Sequence, residues 1–136
     1  MTQEDKELLL KDICARLLYG VKVLDNSHKD YGVSKIINIG FDGSILVDNE
    51  MDDIQYYPII DDIKPYLRPM GSMTGEEKKE FHHIASLQRN YLGDDIFYTH
   101  WQMYDWLNKN MFDYRGLIEK GLALVVPDDM YEINKK

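Results

Sequence analysis

The apolar positions of this 136-residue chain change period near its middle. Up to about residue 70, short apolar runs are separated by Gly, Asp and Asn, the rhythm of strands; beyond it, aromatic-rich runs recur at helical spacing. Between the two lies PIIDDIKPYLRPMGSMTGEEKKE, residues 58–80, where three of the four prolines precede a helix-start signal at Thr74 to Glu77.

In the first half, Thr2 is placed to cap a helix, with Asp5 where a side chain returns a bond to the cap and Leu9, Ile13 and Leu17 as the apolar stripe. Gly20 ends that helix. VKVL at 21–24 alternates and predicts a first strand, followed by a polar loop from Asp25 to Gly32. VSKIINIGF and SILVD flank Asp42-Gly43, a pair that tolerates positive φ and predicts a tight hairpin. IQYYPII adds a strand that Pro58, lacking an amide donor, confines to an edge or a strand end. The short DDIKP turn then leads into YLRP, a succession found in small SH3-like barrels.

In the second half, Thr74 and Glu77 form a reciprocal capping box worth on the order of 1 kcal/mol. Phe81, Ile84, Ala85 and Leu87 give its helix an apolar side, and Gly93 closes the segment. IFYTHWQMYDWLNKNMF predicts another helix, with Phe97, Trp101 and Tyr104 at i, i+4, i+7. Met103, Trp106, Leu107 and Met111 widen its stripe until the helix lies between two layers or against a partner. Asp113 caps a short helix YRGLIEK, Gly121 ends it, and LALVV before Pro127 predicts a short final strand. The expected architecture is α+β in a single domain, 1–136. An N-terminal helix is followed by a small antiparallel sheet, or SH3-like barrel, of three to five strands, and then by C-terminal helices. Residues 1–70 form the helix and β-rich part and 71–136 the mainly helical part.

Composition narrows the setting. Sixteen basic and 24 acidic residues give a net charge of −8, shared between the halves with no basic cluster. Nucleic-acid binding relies on Lys and Arg neutralising phosphates, so this balance argues against it. A winged-helix reading of residues 114–120 fails for the same reason, since Arg115 and Lys120 stand beside Asp113 and Glu119. LLL at 8–10 and LALVV are far shorter than the roughly 20 apolar residues of a membrane span. The opening TQEDKE is the reverse of a basic signal-peptide start, which predicts a cytoplasmic address. The lone Cys14, set among Leu10, Ile13, Leu17 and Leu18, excludes an internal disulfide and is expected to be a buried thiol.

No motif specifies a reaction. His82 and His83 point about 100° apart on their helix, and Glu80 with His83 is a single i, i+3 pair with no second to complete a metal site. Only His28 and His100 remain besides. Asp48, Glu50 and Asp52 alternate like the start of a calcium loop, but Asp53 occupies the glycine position and Ile59 the twelfth. Gly40 to Gly43 lacks phosphate-loop spacing, the serines lack a nucleophile elbow, and the pairs Asp61-Asp62 and Asp94-Asp95 read as loop and helix-start acids. The reading assigns no catalytic residue, no metal and no cofactor.

Ten tyrosines and two tryptophans are the positive feature. Aromatic side chains with polar tips, together with arginine, dominate binding hot spots. The candidate partner-binding residues are Tyr56, Tyr57, Tyr66 and Arg68 along the strand-edge segment and Trp101, Trp106 and Arg115 in the C-terminal part.

KDICARLLYGVKV, YLRPMGSMTGEEKKEF and WLNKNMFDYRGLIEKGLALVVPDDMY resemble a family of short uncharacterised proteins of phages and prophages of gut Bacteroidales bacteria, and the resemblance covers most of the chain. It implies a setting, bacterial cytoplasm during or after phage infection, and no particular chemistry. The leading expectation is a non-enzymatic accessory protein that binds a protein partner or itself. One alternative is a protein sequestering small nucleotide signals of host defence, with tyrosines stacking on a base and arginines holding phosphate. Another is an enzyme using histidines and carboxylates.

Overall fold

The computed structural model describes residues 1–49, 51, 53–86 and 94–131, with residues 94–100 as backbone only. Thr2 opens helix α1 (Gln3–Arg16), its Oγ1 accepting from the Asp5 amide at 3.0 Å and so satisfying one of the free N–H groups of the first turn. Gly20, at φ 74°, takes the left-handed conformation that turns the chain into β1 (Lys22–Asp25). β2 (Val33–Ile39) and β3 (Ile45–Asn49) pair as an antiparallel hairpin. Its loop is longer than the two-residue turn that Asp42-Gly43 predicts. Gly43 alone takes positive φ, its amide bonds Gly40 O at 3.0 Å, and Asp42 Oδ1 accepts from Ser44 N. The aspartate braces the turn with its side chain, so only the glycine needs the left-handed region.

β4 (Ile54–Tyr56) follows, then a 3-10 turn over Ile60–Asp62 and β5 (Ile63–Leu67). Helices α2 (Gly75–Ser86) and α3 (Asp94–Lys109) and the two-residue β6 (Leu124–Val125) complete the chain. The strands form one sheet in the order β4-β3-β2-β1-β5-β6, antiparallel throughout except for the parallel β5-β6 pair. The fold is α+β, as the pattern predicts. Among the described residues the strands number six rather than three to five, and no pairing joins β4 to β5 or β6, so the sheet is open in the sense that no hydrogen-bonded ladder closes it.

Leu9 and Ile13 of α1, the strand residues Val23, Ile36, Ile45, Val47, Ile63 and Leu67, and Met111, Leu117, Leu122 and Ala123 share one core. A second cluster joins Trp106, Leu107 and Phe112 to Phe81 and Ile84 of α2, with Phe81 and Trp106 rings 5.6 Å apart. Two expectations need correction. YRGLIEK forms turns rather than a helix, because Gly116 sits at φ 75° in its middle; Asp113 nonetheless accepts from the Leu117 and Ile118 amides at 2.9 Å. Cys14 is exposed, since α1 turns Asp12, Ile13 and Arg16 inward instead, and what burial it has pushes its thiol pKa up. On α3 and just beyond it, Trp106, Leu107 and Met111 are buried, while Trp101 and Tyr104 of the same stripe are exposed. Leu87 and Gly93, and the side chains of Phe97 and His100, lie outside the described residues.

Helix α3 stops at a motif that the sequence reading missed. Phe112 N bonds Leu107 O at 2.9 Å and Met111 N bonds Asn108 O at 3.1 Å, the bond pair of a Schellman ending, with Met111 at φ 62° where glycine is the usual residue. Left-handed backbone costs a methionine about 1 kcal/mol, and its side chain offsets this by full burial.

The core also encloses charge. Arg16 and Asp12, both fully buried, form a two-bond pair at 2.9 and 3.0 Å; Arg16 Nη2 donates to Phe112 O at 2.7 Å, and Arg115 Nη1 donates to Asp12 at 2.8 Å. Removing one member leaves an uncompensated buried charge, a loss of about 3–5 kcal/mol. Asp12→Ala is therefore expected to lower the urea midpoint by that equivalent, while Asp12→Ala combined with Arg16→Met regains part of it. A single variant of near wild-type stability contradicts this account.

Candidate functional site

Two features at opposite edges of the sheet, and one polar cluster that supports the first, stand out. β4 forms one edge and, among the described residues, pairs only with β3. Around it, Met51 is 85% exposed, Tyr57 65% and Ile59 66%, with Ile54 also exposed. Apolar side chains are thus gathered where the outer side of an edge strand already offers backbone donors and acceptors.

Tyr56 anchors this edge from within. Its hydroxyl donates to Asp25 Oδ2 at 2.9 Å; the same oxygen lies 3.0 Å from His28 Nδ1, and Asp25 Oδ1 accepts from Ser27 N at 3.0 Å. Burial and the adjacent Asp25 carboxyl push the Tyr56 phenol above its ordinary pKa. The His28 ring stacks on Tyr31 at 4.9 Å, and Tyr56 meets both rings edge-on. Asn49 Nδ2 donates to Tyr31 O and, at 3.3 Å, reaches Ser34 Oγ. Sequence reasoning treated 25–32 as a plain polar loop. The legible signal was Asp25-Asn26-Ser27, an aspartate bonding the amide two residues on, which places His28 over the carboxylate. His28 keeps roughly half of its side chain in solvent, so this is the histidine–carboxylate pair that the fold presents, rather than one built from His82 or His83, both exposed on α2. Among the described residues no group of three His, Cys, Asp or Glu is placed to hold a metal ion.

The predicted partner-binding residues fall into two groups. Tyr57 and Trp101 are exposed, the latter at 61%, on different elements. The others serve the interior in whole or part. Tyr66 is half-buried in β5 and its carbonyl accepts from the Tyr131 hydroxyl at 2.9 Å. Trp106 is buried beside Phe112. Arg115 is held by Asp12 and lies over the Tyr114 ring at 4.5 Å. Arg68 bonds Glu77 at 2.6 and 2.7 Å and covers the Phe112 ring at 4.2 Å. Arginines earn hot-spot roles when their guanidinium is available to a partner, and these two are committed internally.

At the opposite edge, β6, α2 and the turn at 126–131 enclose a cleft of about 980 Å³. Glu76, Glu77 and Glu80 of α2 line it together with Asp128 and Asp129 of the turn, and with Val125 and Tyr131. The capping box predicted from sequence forms the cleft's rim: Glu77 N donates to Thr74 Oγ1 at 3.1 Å and Thr74 N to Glu77 Oε1 at 2.9 Å. No family model, curated protein or solved structure matches the chain. No helix among the described residues is long and apolar enough to cross a membrane.

Glu77 links this rim to pH. Burial works to raise its carboxyl, but the Arg68 guanidinium and the Thr74 amide outweigh it and hold the pKa below the ordinary value. A carboxyl depressed in the folded state stabilises it above the unfolded pKa, and that contribution fades as pH falls through the folded value. Wild type is expected to lose stability below about pH 4.3 more steeply than Glu77→Gln, as measured by urea midpoints at successive pH values. Parallel profiles would remove the assignment. At the other edge, Tyr56→Phe strips one hydrogen bond from buried Asp25 and is expected to cost on the order of 2 kcal/mol, whereas Tyr57→Phe leaves the urea midpoint unchanged.

Proposed function

We propose that this chain is a non-enzymatic accessory protein of the phage and prophage kind, acting in bacterial cytoplasm by binding another protein along the β4 edge. The observation that carries the reading is the row of exposed apolar side chains, Met51, Ile54, Tyr57 and Ile59, on and beside an edge strand. Large apolar side chains left in water along a free edge lose little by staying there alone, but each gains when a partner covers it. Pro58 lacks an amide, so backbone pairing with a partner is confined to the Ile54–Tyr56 stretch. Side-chain burial must then supply most of the affinity, and Tyr57 has the size and the polar tip for a central contact. The anchoring of Tyr56 on Asp25 supports this by fixing the edge before a partner arrives, which lowers the ordering cost of association.

The cleft does not favour the nucleotide alternative. Carboxylates line it and Arg68 is already paired with Glu77, so a phosphate there meets repulsion.

A photo-crosslinking residue at position 57 in Bacteroidales cells is expected to yield discrete protein adducts that the same residue at exposed Lys11 does not. Met51→Glu with Ile59→Glu should abolish them. Absence of adducts at 57, or identical adducts at both positions, overturns the proposal.

A further inference from the structure

The second edge of the sheet differs from the first in both backbone and charge. In the parallel β5-β6 pair Leu67 lies opposite Val125, and Val126 N donates to Leu67 O at 2.9 Å. In a strand, the amide and carbonyl of one residue point to the same side and alternate with those of its neighbours. Val126 therefore turns its backbone toward β5, and Val125 turns its amide and carbonyl toward the open cleft. Val125 is 57% exposed and, as the sheet ends at β6, no described strand pairs with it there.

This free pair lies in a cleft whose walls are anionic. Glu77 is paired with Arg68, but Glu76 and Glu80 stand exposed one turn apart on α2, and Asp128 and Asp129, also exposed, line the same cleft. Four carboxylates around a strand edge repel an acidic or phosphorylated segment and attract a cationic one, and a low-dielectric wall strengthens both effects. The geometry points to this cleft as the docking site for an extended Lys- or Arg-rich segment of a partner protein, which adds beside β6 through Val125 and places its cations on Glu76, Glu80, Asp128 and Asp129. This rests on the reading of the chain as a protein-binding protein. It adds a second surface and names the chemistry of what binds there.

The side chains divide the roles. Val125 supplies two hydrogen bonds that read backbone only, while the carboxylates read charge on alternate residues of the incoming strand. Tyr131, which also lines the cleft, is tied in place by its hydroxyl, which donates to Tyr66 O and accepts from Lys22 N at 2.8 Å, and a side chain ordered in advance lowers the cost of binding.

The test uses the full chain and a fluorescein-labelled octapeptide of alternating Lys and Thr, with an alternating Glu-Thr peptide and a Lys-Thr peptide N-methylated at every second residue as controls, read by anisotropy. Lys-Thr is expected to bind at least about tenfold more tightly than either control, with affinity falling as salt rises. Glu76→Gln with Glu80→Gln, both exposed and outside the Arg68 pair, should weaken it by about tenfold or more while the urea midpoint stays put. Equal binding of the three peptides, or no effect of the double variant, overturns the proposal. So does binding that emerges only when Lys135 and Lys136 are changed to Ala, which would assign the cleft to the chain's own end. Adducts at position 57 that persist while the peptide fails to bind would sink the cleft alone, and loss of the adducts with peptide binding intact would sink the β4 edge alone.

Discussion

The structure depends on a charge that cannot leave. Arg16 is fully buried on α1, and taking a guanidinium out of water costs several kcal/mol unless its donors are met. Asp12 meets two of them, one turn earlier on the same helix, and the Phe112 carbonyl meets a third. Asp12 in turn accepts from Arg115, and both guanidiniums lie against the Tyr114 ring, at 5.4 and 4.5 Å. The pair on α1 is therefore satisfied only when residues 112–115, almost a hundred positions later, are in place. Among the described residues Arg16 Nη1 finds no hydrogen-bond partner, so the arrangement is not optimised for stability alone. Its effect is registration: the C-terminal segment has one position on α1 at which these bonds form together.

Phe112 is where that registration reaches the rest of the molecule. Its carbonyl serves Arg16, its ring lies under Arg68, and its backbone runs beside Arg68 as a parallel bridge, with Arg68 N donating to Met111 O and Asp113 N to Arg68 O. Arg68 then holds Glu77, whose carboxylate also closes the cap of α2. One chain of contacts thus runs from α1 through the end of α3 to β5 and the start of α2. The left-handed Met111 is the bend that allows it, since a helix continued past Asn110 would carry Phe112 away from both arginines.

Much of the fold was legible because its signals are local. The Thr2 and Thr74 caps, the strands at 22–25, 33–39 and 45–49, the edge strand before Pro58 and the final strand before Pro127 each follow from residues within a few positions of one another. What was not legible is non-local. Arg16 and Asp12 read as helix surface by type, and only the pairing with Phe112 and Arg115 makes their burial tolerable. Met111 reads as helix interior because its apolar side chain, not its backbone preference, suits the place it occupies. Of the aromatic and arginine residues expected at a partner surface, Tyr57 and Trp101 are exposed, while Trp106, Arg68 and Arg115 are spent on internal contacts that no spacing reveals. The acidic cleft escaped for the same reason, since Glu76 and Asp128 become neighbours only after the sheet has formed.

The open sheet also has a cause in the second half of the chain. β1 to β5 follow one another as in a small barrel: a meander through β4, a 3-10 turn, and a last strand that returns to β1. Closing such a barrel would require β4 to pair along the free side of β5. β6 occupies that side, because the segment fixed by Arg16, Arg68 and Asp113 delivers Leu124 and Val125 alongside Tyr66 and Leu67. A parallel pair of two residues is a weak competitor for a full strand on its own. Anchored on the core through Leu117, Leu122 and Ala123, it is already in position at little further cost in loop closure, and β4 keeps β3 as its partner on one side alone. The exposed edge at Ile54–Tyr56 and the acidic cleft beside Val125 are therefore two results of one event, the docking of residues 111–126 against β5, and neither surface would exist in the closed barrel.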